Sequence, residues 1–160
     1  MKRKLLSIFF ILLITICCTG CNPETGTMTC TMSSYPTDGI KLRSVYKADY
    51  KNNVVQKLTS TDQVTVEDKS YLDIYEEKLN ELYEPYKNLE YYKNNIKIRN
   101  KTLTSTTIIN YAKIDTDQLI KIDEGNGQLI KNGKVNIDDL KKAYKQNGFN
   151  CKKEGLNEVL

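Results

Sequence analysis

The stretch GIKLRSVYKADYKNNVVQKLTST, residues 39–61, alternates between apolar and basic side chains with a period of two. Ile40, Leu42, Tyr46, Ala48 and Tyr50 fall on one side of an extended chain, and Lys41, Arg43, Lys47 and Lys51 on the other. That is the pattern of a strand with one face buried and one in water. Asn52-Asn53 interrupts it with two residues that tolerate left-handed backbone, so the chain is predicted to turn there and return as a second strand over residues 54–61.

Toward the C-terminus the period becomes helical over residues 65–86, with Leu72, Tyr75, Leu79, Leu82, Tyr83 and Tyr86 on one stripe and Pro85 near its end. A second hairpin is expected over residues 90–99 and 102–111, turning at Asn100-Lys101. A last helix over residues 137–146 has Asn136 or Asp138 as N-cap and Gly148 as its stop. The predicted fold is α+β: an antiparallel four-stranded sheet of two hairpins with helices packed on one face, in the order ββαββα.

Upstream of the first strand, residues 22–38 are rich in Thr, Ser, Pro and Gly and read as a tether. Before them lies an address. Lys2-Arg3-Lys4 precedes the apolar run of residues 5–16, which is shorter than the roughly 20 residues a membrane-spanning helix needs. This is the form of a secretory signal. The run ends in Cys18-Thr19-Gly20-Cys21, similar to the bacterial lipobox, although Cys18 stands where an aliphatic residue is usual. Cys21 is therefore the expected lipidation site, and acyl chains at about 0.8 kcal/mol per buried CH₂ would tether the protein to a membrane surface. The expected segments are a signal over 1–20, a tether over 21–38, a domain over 39–151 and a tail over 152–160.

Of the five cysteines, removal of the signal and acylation of Cys21 leave only Cys30 and Cys151. Outside the cytoplasm such a pair is most simply a disulfide; free thiols or an intermolecular bridge are the alternatives. The formal charge of +4 falls to 21 basic against 20 acidic side chains once residues 1–20 are removed. What remains is segregated: residues 39–58 and 93–101 are strongly basic, whereas residues 67–90 carry eight acids.

The chain has no histidine, which removes the commonest general base and neutral metal ligand near pH 7. Asp123-Glu124-Gly125-Asn126-Gly127 resembles an EF-hand centre, but its register puts Ile122 and Gly133 at ligand positions. Asp73, Glu76, Glu77, Glu81 and Glu84 read as a solvated helix face. No catalytic residue, metal site, cofactor or nucleic-acid partner is expected. The basic side of the sheet, with Lys41, Arg43, Lys47, Lys97 and Arg99, is the candidate contact for an anionic envelope component or another envelope protein. A one-sided sheet that merely shows lysines to water explains the same pattern. A small-ligand or peptide-binding role beside a transporter is the other reading, for which a pocket lined by Tyr46, Tyr50, Tyr75, Tyr83 or Tyr111 would be the mark.

The lipobox, the paired hairpins around a Tyr-rich helix, the run Thr104-Ser105-Thr106-Thr107-Ile108-Ile109-Asn110-Tyr111 leading into Lys113-Ile114-Asp115, and the ending Gly148-Phe149-Asn150-Cys151 resemble the YehR-like small bacterial lipoproteins over residues 38–151. The resemblance implies an α+β lipoprotein domain at the extracytoplasmic face of the cell membrane. It brings no catalytic or binding residues with it.

Overall fold

The computed structural model describes residues 24–155. The expected signal over 1–20, Cys21 and the last residues of the expected tail lie outside them. Among the described residues no helix is long and apolar enough to cross a membrane.

The hairpin expected over residues 39–61 forms as β2 (Ile40–Lys51) and β3 (Val54–Val66), with Asn52 and Asn53 both at positive φ, 50° and 61°. A second pair, β4 (Tyr92–Arg99) and β5 (Thr102–Ile109), turns at Asn100, again left-handed at φ 57°. Asparagine is one of the few residues with a side chain that occupies this region at low cost.

These four strands are not the whole sheet. Residues 25–37, read as tether, form strand β1 (Thr25–Thr37), and residues 150–155 form β8 (Asn150–Gly155) where a tail was expected from 152. The fold is mostly β: a six-stranded antiparallel sheet in the order β4-β5-β3-β2-β1-β8, with a two-stranded ribbon of β6 (Ile130–Lys131) and β7 (Lys134–Val135). This corrects the four-stranded ββαββα arrangement. Met28, Cys30 and Met32 alternate with threonines along β1, so its inward face is built from Met and Cys instead of aliphatic branches. β8 buries Cys151 and pairs in register with β1, Cys30 opposite Cys151.

Among the described residues three helices lie against one face of the sheet. α1 (Ser70–Tyr83) begins later than its periodicity indicated, because β3 continues to Val66, and a 3₁₀ turn over Glu84–Tyr86 follows it at Pro85. Leu72 of α1 is buried against Val66 and Leu103, whereas Leu82, placed on the buried stripe by spacing, is 58% exposed. α2 (Thr116–Ile122) was not anticipated; Asp115 caps it by accepting hydrogen bonds from the N–H groups of Asp117 and Gln118. α3 (Ile137–Gln146) starts at Asn136, whose side chain accepts from the N–H groups of Asp138 and Asp139.

The core divides into two clusters. The larger gathers Met28, Cys30, Ala48 and Tyr50 of the sheet with Leu119, Ile137 and Leu140 of the helical layer. The smaller holds Val66, Leu72 and Leu103 beneath α1. The Cys30–Cys151 disulfide closes the larger one.

Candidate functional site

Pairing and alternation place Lys41, Arg43 and Lys47 of β2 and Lys97 and Arg99 of β4 on the face of the sheet opposite the helices, together with Lys93. Arg43, Gln63, Thr104 and Lys97 lie in one row across β2, β3, β5 and β4, and Lys41, Thr65, Thr102 and Arg99 in the next. At about 4.8 Å per strand, the two lines of cations run parallel roughly 14 Å apart, with steps of about 7 Å along each strand. Thr59, Thr61 and Gln63 of β3 and Thr102, Thr104 and Thr106 of β5 pave the floor between them. Two floor contacts tie it across the strands: Thr65 Oγ1 with Thr102 Oγ1 at 3.0 Å, and Gln63 Nε2 donating to Thr104 Oγ1 at 3.4 Å.

Among the described residues, none of these six cations has a salt-bridge partner. Asp49 and Glu154 share the open face, but Asp49 sits toward the β1 start and accepts from Thr27 Oγ1 at 2.9 Å. The acids of α1 are on the helical side. The strand pattern in the sequence already separates these charges; the distance between the lines needs the strand order, in which β3 and β5 lie between β2 and β4.

The helical face carries a feature the sequence reading missed. Between the two apolar clusters, the inward positions of the sheet are polar: Ser44, Ser60, Asp62, Ser105, Thr107 and Asn94. Asp62 Oδ1 accepts from Ser44 Oγ at 2.5 Å and from Tyr46 Oη at 3.2 Å, and Asn94 Nδ2 donates to Ser105 Oγ at 3.1 Å and Thr107 Oγ1 at 2.9 Å. Above this floor a cleft of about 230 Å³ is walled by Tyr46, Tyr83, Tyr86, Tyr92 and Tyr144, with Asp123 at its edge. Of the tyrosines expected to mark a ligand pocket, Tyr46 and Tyr83 line it; Tyr50, Tyr75 and Tyr111 do not. Tyr86 and Tyr92 stack with ring centres 4.7 Å apart, and Tyr46 leans on Tyr144 at 5.0 Å. Ser60 and Asp62 interrupting an otherwise apolar register in β3 was the signal available in the sequence.

Burial, with the Asp62 carboxylate second, pushes the Tyr46 phenol up to about 12. Burial likewise raises Tyr86, Tyr92 and Tyr144, so these phenols and that of Tyr46 stay neutral across the ordinary pH range. Among the described residues no three metal-ligating side chains converge.

The fold and these two surfaces define a one-layer antiparallel sheet backed by helices, with a charged open face and an aromatic cleft on the covered one. That fold is YehR-like: the NMR structure of the Escherichia coli YehR protein superposes with a TM-score of 0.54 at 18% identity, covering 88% of this chain and 97% of that one. An NMR structure of a protein from Streptococcus pneumoniae TIGR4 aligns at TM-score 0.48 and 16% identity, covering 78% of this chain and 84% of that one. No protein-family model matches the chain, and no curated protein matches it in sequence.

Proposed function

We propose that the protein is a non-enzymatic binding module of the bacterial envelope, a member of the YehR-like lipoproteins held at the extracytoplasmic face of the cell membrane through acylated Cys21. Its open sheet face grips an anionic envelope component, phospholipid headgroups or a wall polyanion. The observation that carries this reading is the pair of cation lines, Lys41, Arg43 and Lys47 opposite Lys93, Lys97 and Arg99, flanking a hydroxyl-lined floor. An extended polyanion lying along the strands meets charge on both sides and hydrogen-bonding groups beneath, an arrangement that favours chains over single ions. Only three residues separate Cys21 from Thr25, and the four steps reach at most about 14 Å, so an anchored domain would stand close to the headgroups.

The test replaces Lys41, Arg43, Lys97 and Arg99 together by Ser and measures retention on anionic liposomes and on purified envelope at two salt concentrations. Retention should fall and lose its salt dependence. Unchanged retention removes the open face from the function. Mass spectrometry of the mature N-terminus checks the anchor separately: an unmodified Cys21 or an intact Met1 removes it.

A further inference from the structure

We propose that the tyrosine-walled cleft on the covered face is a second site, independent of the open-face reading, that holds a small organic cation of the alkylammonium type. Its composition is selective in sign. Five tyrosines converge on it and the charged side chains that line it are Asp62 and Asp123, both acidic. Among the described residues no Lys or Arg lines it. The face of a tyrosine ring attracts a cation through its quadrupole, and the attraction grows as the cation leaves water.

Asp62 lines the cleft with one carboxylate oxygen engaged. Ser44 and Tyr46 both donate to Oδ1, which fixes the carboxylate, and no described residue donates to Oδ2. The polar floor also lies where packing would favour apolar residues, since it separates two hydrophobic clusters that valines at Ser60 and Asp62 would join. At about 230 Å³ the cleft is smaller than the roughly 300–1,000 Å³ that enclose a drug-sized ligand, so it suits a head group. An anion would meet two carboxylates and no base. A neutral sugar would stack on the tyrosines and donate hydroxyls to the carboxylates, but it would leave their charge unmatched.

The experiment titrates the full chain, in detergent micelles, with choline, with its neutral dimethylbutanol isostere in which carbon replaces the nitrogen, and with glucose. With no tryptophan and 11 tyrosines, intrinsic tyrosine emission reads the cleft, and two-dimensional NMR localises the response. Choline should bind saturably, the isostere roughly tenfold or more weakly, and Asp62→Asn should weaken choline by a similar factor with an unchanged far-ultraviolet spectrum. Should Asp62→Asn fail to fold, Tyr83→Leu at the cleft wall is expected to give the same loss. The open-face quadruple Ser variant should bind choline as the parent does, which separates this site from the other. Equal binding of the isostere, preferential binding of glucose, or no saturable response to choline overturns the proposal.

Discussion

Cys30 of β1 and Cys151 of β8 stand directly opposite each other in the ladder, Cα atoms 4.0 Å apart, and their disulfide joins positions 121 residues apart in the chain. The bond secures an edge strand that brings little apolar surface of its own. β8 contributes Cys151 to the core and otherwise shows Asn150, Lys152 and Glu154 to solvent. On the chain-entropy account, a loop of this length adds about 4 to 5 kcal/mol by restricting the unfolded chain. Reduction, or Cys30→Ser with Cys151→Ser, should lower the unfolding free energy by an amount in that range, with a correspondingly lower denaturation midpoint, and expose β8 to early hydrogen exchange. Chemical denaturation with and without reductant measures it, and equal midpoints would show that the bridge adds nothing.

α1 should be the first element to open. It is held by a cluster whose fully buried members are Val66, Leu72 and Leu103, while Tyr71, Ile74 and Leu82 remain exposed. Leu72→Ala removes the central contact and should cost about 2 to 5 kcal/mol. Even in the parent chain, α1 amides should exchange faster than those of β1, β2 and β3. Exchange mass spectrometry resolves this, and equal protection of α1 and β2 would refute it.

Asn136 caps the start of α3 where it meets the β2–β3 turn. Its side chain accepts from two backbone N–H groups, and the next residue, Ile137, donates its N–H to Asn53 O at 2.9 Å. Asn136→Ala should destabilise the fold by about 1 kcal/mol, whereas Asn136→Ser or Asn136→Asp should recover most of the loss. Thermal melts of the three variants suffice to check the order.

Stability should fall on the alkaline side. The Tyr46 and Tyr111 phenols are pushed up to about 12 in the folded chain, each chiefly by burial, with Asp62 adding to the effect on Tyr46. A raised folded value means the folded state keeps its proton where the unfolded one has lost it. The contribution is whole below the unfolded value near 10 and disappears as pH climbs toward 12. Tyr46→Phe should flatten this decline, followed by denaturant midpoints as a function of pH; an equally steep decline in Tyr46→Phe would assign the effect to other groups.

The two hairpins were legible because their signals are local. Asn52-Asn53 and Asn100-Lys101 sit between alternating runs, and the side chains that must tolerate left-handed backbone are the ones present. The cap at Asn136 was legible for the same reason. β1 was not, because its inward residues are Met28, Cys30 and Met32 among threonines, a composition shared by solvated linkers. α2, with seven residues, is too short for a period to show. At the candidate sites, the basic side of β2 and β4 could be read from alternation. The cleft could not, since Tyr46, Tyr83, Tyr92 and Tyr144 come from four separate elements.

The sequence by itself determined which side of each hairpin strand is wet and where the chain reverses, because each of these depends on neighbours in the chain. Only the tertiary structure decided that β1 and β8 complete the sheet, that β3 and β5 separate the two lines of cations, and that five tyrosines and Asp62 line one cleft. Those outcomes depend on strand order and on helix packing across tens of residues, where pairing energy is shared among partners that no local pattern records.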